Sequence, residues 1–426
     1  MGNTFGGIEL IAKEPFGRYD CGKGCEMLLF ENCTKEEFDL QCNFAERCGC
    51  ILYDCHEVKN CCFRTYISDK IMHIYFCENE QKMRIVADPN TNLFNKEPEN
   101  CPVTHQTALW QFEVDHSLID CGMCYIVRCC DGSFFVIDSA HMYSVNDDKR
   151  IVDFLKKLSN GKKPVVAGWF FSHSHDDHVS KFLDVIDFHR DEIEIEAVYY
   201  NFPPVTHRDN MNWDECNKSV TAKFERTMHE NPDIKCINLH AGQHFYIRNL
   251  EFVVLCTHED VYPNSIADYN NSSTSLMMFA EGSKVLFPGD SAVESDKVIV
   301  PRWGDYLKCD IVQVSHHGHT GTSPEFYRLA DAPCALFAVT VIKFDEEFPR
   351  QEANRVAVDI AKEYHIASNG TVEIPLPYKF GQTKIYPDET FEDFHGIYSL
   401  WAYEYTNERK EQLYQDFLKR KNIKTF

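Results

Sequence analysis

Residues 164–178 read PVVAGWFFSHSHDDH, and this stretch decides how the rest of the chain is read. Pro164 to Ser172 is almost wholly apolar, the mark of a strand buried on both faces. It runs directly into His173-Ser174-His175-Asp176-Asp177-His178. Without a cation, so many imidazoles and carboxylates crowded together would repel or need several partners. Neutral imidazole and carboxylate are the donors that Zn²⁺, Mn²⁺ and Fe²⁺ take. A loop at a strand end can aim alternate residues at two neighbouring ions. His173 and His175 are therefore expected to share one ion, and Asp177 and His178 the other.

Six residues cannot fill two coordination spheres, so the remaining donors must come from later strand ends. Asp290, in Leu286-Phe287-Pro288-Gly289-Asp290-Ser291, follows a strand-like run, and its carboxylate could bridge two ions. His316 and His317 follow the apolar run Ile311–Val314. One of them is expected as a ligand of the second ion and the other as a hydrogen-bond donor to substrate, with His316 the favoured ligand. His319 reads as a loop residue. Trp303, on a loop after Asp290, is expected to pack on the core, with lining the pocket as the alternative.

Outward from this centre, strands alternate with helical segments from about residue 106. Cys124–Cys130 and Ser133–Asp138 flank an Asp131-Gly132 hairpin turn. Helices are expected over 149–158, 179–188, 217–230, 324–329 and 352–364. Strands are expected over 195–200, 234–239, 243–247, 250–256, 275–281, 284–288, 310–315, 336–341 and 371–376. Such a β-rich alternation predicts sheets covered by helices. Residues 1–105 form a separate compositional block with strand-like runs at 50–53, 62–67, 71–77 and 83–87. The Asn- and Pro-rich stretch 88–102 reads as a linker. The organisation expected is an accessory domain over 1–105, an α/β domain carrying the 173–178 cluster over 106–405 and a charged C-terminal helix over 406–426.

The chain has 426 residues, ordinary globular composition and a formal net charge of −23. That charge repels phosphate backbones at long range and argues against an extended nucleic-acid groove, though not against a small site whose charge is supplied by metal ions. No apolar run is long enough to span a membrane. The N-terminus lacks a basic segment followed by an apolar run, so the expected address is the cytoplasm. Twenty cysteines are present. Without a signal segment they read as reduced thiols packed as small hydrophobes. Cys21-x3-Cys25, Cys48-x-Cys50 and Cys61-Cys62 could seed a zinc site, but none shows the paired C-x2-C spacing of a strong one.

Taken together, Asp138 in Phe135-Val136-Ile137-Asp138-Ser139, the His-x-His-x-Asp-His motif at 173–178, Gly289-Asp290 and His316-His317-Gly318 resemble the metallo-β-lactamase superfamily. The resemblance covers roughly residues 115–380. Within it, Asn270-Asn271-Ser272-Ser273-Thr274-Ser275-Leu276 and Thr320-Gly321-Thr322-Ser323 look like the branch holding the metal-dependent domain of bacterial DNA-uptake channels and the phosphorylcholine esterases. The resemblance implies an αββα sandwich with two divalent metals at one edge, zinc first, with manganese or iron as alternatives. It implies His173 and His175 at one ion and Asp177, His178 and His316 at the other, with Asp290 bridging. Asp138 would orient the loop from behind the ligands. A third His for the first ion has its candidate in His258, which lacks the usual Pro-Gly-His setting, and His240 ranks below it. Asp177, Asp290, His317 and Asp138 are the expected catalytic set. The function implied is a metal-dependent hydrolase acting on a phosphodiester, in a small molecule or oligonucleotide. Amide, lactone or thioester hydrolysis, and a non-catalytic metal-binding module, are the alternatives.

Overall fold

The computed structural model describes residues 4–115, 120–144, 146–204, 214–262 and 269–387. Two large sheets pack face to face. The first, of nine strands, runs in the order Lys235–Asn238, Ala197–Tyr200, Val165–Phe170, Phe134–Ile137, Tyr125–Arg128, Ala108–Gln111, Thr371–Pro375 and Lys384–Tyr386, with Glu194–Ile195 paired beside Val165–Phe170. The second runs His244–Ile247, Leu250–Cys256, Ser275–Ala280, Ser283–Phe287, Ile311–Gln313, Cys334–Phe337, Glu363–Ile366. Period-two alternation assigns the faces. Phe135, Ile137, Phe252, Val254, Leu276, Val285, Phe287 and Leu336 fill the layer between the sheets. Phe134, Val136, Trp169 and Val198 point the other way, against Ile151, Phe182 and Phe224 of helices Asp147–Leu158, Asp176–His189 and Asp214–Glu230. Beyond the second sheet, Leu255, Met277, Leu286 and Val312 meet Ile299, Phe326 and Ala357 of helices Val293–Trp303, Pro324–Ala330 and Glu352–Ile360. The result is the αββα sandwich that the resemblance implied. Among the described residues, no helix is long and apolar enough to cross a membrane.

The cysteine-rich N-terminal block forms a six-stranded antiparallel sheet. Helix Lys35–Arg47 covers one face, placing Phe38, Cys42 and Ala45 against Phe30, Tyr66, Ile74 and Phe76. Thr34 and Glu37 start that helix as a capping box. The other face, with Phe63, Tyr75, Cys77 and Val86, shares one core with Leu255, Trp303 and Val312 of the sandwich. Three buried charges and the half-buried Glu80 cross this seam. The Arg302 guanidinium donates to Glu80 at 2.6 Å and to Asp260 at 2.8 Å. Arg84 donates to Glu80 at 3.1 Å and to the Asp260 carbonyl at 3.1 Å.

The structure differs from the sequence expectation in several elements. The strand expected over 336–341 ends at Phe337, and a helix, Val341–Glu347, follows, capped by the Thr340 hydroxyl. The helix expected over 352–364 stops at Ile360, because Glu363–Ile366 adds an edge strand to the second sheet. Helices Lys35–Arg47 and Val293–Trp303 were not anticipated, the latter because Pro301 lies inside it. Trp303 is a core residue, 1 % exposed, whose indole donates to the Leu255 carbonyl at 2.7 Å. The charged helix expected over 406–426 falls outside the described residues.

Removing Arg302 leaves the buried Asp260 and the half-buried Glu80 with one cation fewer. We predict that Arg302→Leu destabilises the protein by about 3–5 kcal/mol, the usual cost of breaking a buried charge network. Urea unfolding checks this; a change below about 1 kcal/mol contradicts it.

Candidate metal centre

Strand Phe134–Ile137 runs parallel to Val165–Phe170, and Ser283–Phe287 parallel to Ile311–Gln313. The loops that leave these four strands therefore meet at one edge of the sandwich, the usual place for a site in sheets of this kind. They carry Asp138, residues 172–178, Gly289-Asp290 and Ser315–Gly318. The Thr274 amide donates to the Ser172 carbonyl at 2.7 Å and ties the two sheet edges together. Gly289 is irreplaceable at this crossing. It has φ +62°, and a Cβ there would lie 2.8 Å from the Ser172 Cβ. The Gln313 side-chain amide clasps the same residue, accepting from its amide at 2.9 Å and donating to its carbonyl at 2.9 Å.

The donors fall into two groups that share one residue. Ligand atoms of His173, His175 and Asp290 lie within 4.8 Å of one another, as do those of Asp177, His178, Asp290 and His317. Nε2 of His178 is 3.2 Å from an Asp290 oxygen and 3.5 Å from Asp177. Nε2 of His317 is 3.0 Å from Asp177 and 3.4 Å from Asp290. Nε2 of His173 is 3.8 Å from Asp290.

The far side of each ring fixes its tautomer. His317 Nδ1 is 2.7 Å from the Ala338 carbonyl, which only accepts, so Nδ1 carries the proton. His178 Nδ1 is 2.9 Å from the Asp138 carboxylate. His173 Nδ1 is 3.0 Å from the Ser172 hydroxyl, which itself lies 2.9 Å from Asp138. Each ring thereby presents Nε2 inward, the arrangement that orients metal-binding histidines. The donors fit a pair of cations on a further count. His173 Nε2 and the second Asp290 oxygen are buried and meet no hydrogen-bond partner among the described residues.

Electrostatics agree. Burial disfavours the charged form of His317, but Asp290 and Asp177 outweigh it and push the imidazole up to about 10. Asp290, Asp177 and Asp138 similarly hold His178 well above its ordinary value against its burial. Asp177 and Asp290, despite burial, are held well below the usual carboxylate range by His178 and His317. His173 lies well below the imidazole range, because of burial and then the neighbouring His178 and His175. Asp177 also sits in the first turn of helix Asp176–His189, where the helix dipole favours a negative charge.

The structure brings together His173, His175, Asp177, His178 and Asp290, with Asp138 behind them. It brings His317 to the centre in place of His316, the favoured ligand in the sequence reading. His316 Nδ1 donates to the Thr320 carbonyl at 2.9 Å, and its Nε2 faces the Asn270 side chain at 3.3 Å. Both residues have positive φ, +50° and +54°, and this kink turns consecutive side chains in different directions. His258 stands outside both donor groups: its Nε2 is 2.9 Å from the Asn201 side-chain oxygen. His240 lies instead between Glu259 and Asp88. The sequence reading gave no role to Ser172, Ser273 and Gln313, which hold the loops, and Ser273 does so by accepting from the Asp290 amide at 3.0 Å. It also passed over His141, Lys343 and Arg350. With His175, Asp177, Asp290, His316, His317 and His319, these line a cavity of about 430 Å³ over the centre. Lys343 could not be found from sequence, because the helix that carries it, Val341–Glu347, was not anticipated.

No protein-family model matches the chain, and no curated protein matches it in sequence. Among solved structures it is similar to the metallo-beta-lactamase fold protein YhfI from Bacillus subtilis, at 10 % identity and a TM-score of 0.39, covering 62 % of this chain and 96 % of that one. It is also similar to a diphosphatase of the PhnP family, at 14 % identity and a TM-score of 0.31, covering 54 % and 86 %. A third is CmlA, a diiron beta-hydroxylase from Streptomyces venezuelae, at 11 % identity and a TM-score of 0.34, covering 61 % and 50 %.

The raised value of His317 means that its proton stabilises the metal-stripped fold below about pH 6.5, and that this contribution is lost as pH rises towards about 10. The melting temperature of stripped protein is expected to fall across that window. Loading Zn²⁺, which must displace imidazole protons, is expected to flatten the slope and to release protons at pH 7. Calorimetry in two buffers of different ionisation enthalpy measures the release; no release contradicts the assignment.

Proposed function

We propose that this chain is a metal-dependent hydrolase of the metallo-β-lactamase superfamily, acting on a phosphodiester in a small molecule or oligonucleotide. One observation carries the reading: the buried carboxylate of Asp290 belongs to two donor groups at once, with two imidazoles on one side and two imidazoles and a carboxylate on the other. Held by these donors, two divalent ions, zinc by the donor chemistry, would acidify a water towards neutrality and offset the charge that builds up in the transition state.

The protein's own groups do the rest. Asp138 fixes the ring of His178 from behind, and the Ala338 carbonyl does the same for His317. Asp177 and Asp290 face the cavity and orient the attacking water. His141, His316 and His319 supply imidazole donors on the walls, where phosphate oxygens would lie, beside Lys343 and Arg350, which pair with Glu346 and Glu347. A serine or cysteine nucleophile has no part in this scheme. The likeness of residues 270–276 and 320–323 to the phosphodiester-cleaving branch supports the substrate class. A cavity of about 430 Å³ and a net charge of −23 favour a small or oligonucleotide substrate over long nucleic acid.

Metal-loaded protein is expected to turn over bis(p-nitrophenyl) phosphate with Mn²⁺ or Zn²⁺, and Asp290→Asn to bring turnover to background. Asp138→Asn is expected to cost about 10–100-fold in activity or metal affinity, as removal of such supporting partners does. Hydrolysis of a lactone, nitrocefin or a glutathione thioester in place of the phosphodiester would overturn the substrate assignment. No hydrolysis of any of them by protein with both metals bound would overturn the hydrolase itself.

A further inference from the structure

A second set of metal-type donors lies buried at the seam between the N-terminal sheet and the sandwich. The thiols of Cys21 and Cys25 and a carboxylate oxygen of Glu259 lie within 4.8 Å of one another, and all three residues are buried. None of them belongs to the donor groups around Asp290.

The backbone is shaped to make this cluster. Strands Gly17–Gly22 and Cys25–Phe30 form a hairpin whose tip, Gly22-Lys23-Gly24, has positive φ at all three residues. The ladder pairs Asp20 with Glu26 and Gly22 with Cys25, so Cys21 has no opposite number. It is an inserted residue, and a bulge of this kind redirects its side chain. Strict alternation would place Cys21 and Gly22 on opposite faces, but the bulge brings the Cys21 thiol to Cys25. The Asp20 carboxylate, accepting from the Gly22 amide at 2.8 Å, holds the bulge. Lys23 fastens the tip to the sandwich through the Tyr200 hydroxyl at 2.8 Å.

Glu259 arrives from the other side of the seam, on the short turn His258–Val261 that Thr257 and Asp260 cap. One of its oxygens lies 2.8 Å from His240 Nδ1 and accepts from the Asn201 side chain at 3.1 Å. The other accepts from the Thr257 hydroxyl at 3.3 Å. His240 Nε2 in turn faces Asp88 at 3.3 Å. Outer partners that fix a carboxylate in this way are what metal-binding carboxylates carry. Two thiols with a carboxylate favour zinc among the common divalent ions.

We propose that Cys21, Cys25 and Glu259 bind a structural zinc ion that pins the first hairpin of the N-terminal sheet to the 257–262 segment. Both thiols would bind as thiolates and release their protons to solvent, with a water or the second Glu259 oxygen completing four-coordination. The inference does not rest on the hydrolase reading.

The test uses full-length protein purified under reducing conditions and loaded with Co²⁺. The donors grouped around Asp290 are nitrogen and oxygen, so a thiolate-to-cobalt charge-transfer band in the near ultraviolet comes from a thiol site, and its loss with Cys25 separates this site from the Cys334, Glu363 and His365 group. The band is expected in the wild type and in His175→Ala, and is expected to vanish in Cys25→Ser. Elemental analysis should show zinc lower by one per chain in that variant. Glu259→Gln keeps the side-chain shape and serves if the cysteine variant fails to fold. It is expected to weaken zinc at least tenfold in a chelator competition, with circular dichroism unchanged. Three results would overturn the proposal: no band in the wild type, a band that survives loss of both cysteines, or a native Cys21–Cys25 disulfide in metal-free protein. Failure of the hydrolase reading would appear separately, in the metal count of His175→Ala.

Discussion

Two carboxylates and four imidazoles buried at one junction are stable only when their charges are balanced, and the surrounding structure serves that balance. Without metal, protons on His178 and His317 play the part of cations between Asp177 and Asp290. A pair of divalent ions would do the same with more charge and would displace those protons. Either way the donors must be held where they cannot separate. The ends of two parallel strand pairs, one in each sheet, deliver them, the Ser172–Thr274 hydrogen bond joins the two edges, and Gln313 clamps Gly289. Residues that take unusual backbone conformations here, Asp138 at φ +55° and His316 and His317 at +50° and +54°, each cost about 1–3 kcal/mol. Such strain persists only because the surrounding packing over-determines the loop.

The N-terminal sheet takes part in this rigidity. Its Glu80 and Arg84 engage Arg302 and Asp260. Arg302 lies in the last turn of the helix that begins three residues after Asp290, and Asp260 lies in the turn that carries Glu259. The cysteine-rich block therefore braces two segments of the second large sheet's outer face. Most of its cysteines are buried in apolar cores, as small hydrophobes would be, and Cys21 and Cys25 differ in facing a buried carboxylate.

Local features could be read without the fold. The cluster at 173–178 spoke for itself, because donors adjacent in sequence are adjacent in space whatever surrounds them. Most strands of the sandwich were visible from their apolar runs, though Ala108–Gln111, Glu363–Ile366 and Lys384–Tyr386 were not, and Asp138 and Asp290 were visible from their places at strand ends. Elements were misread where local signals competed. Pro301 hid a helix, and the capping pairs at Thr34 and Thr340 were small cues beside stronger apolar patterns.

The amino-acid sequence by itself determined the donor types, their order along the chain and the layered α/β class. These follow from side-chain chemistry and hydrophobic period, which are local properties. Tertiary structure alone decided that His317 rather than His316 faces the two aspartates, that His258 goes to Asn201, and that Cys21 joins Cys25 and Glu259. The reason is one of direction. Neighbouring residues of the same type are chemically equivalent on paper, and only backbone torsions set by long-range packing choose which way each side chain points.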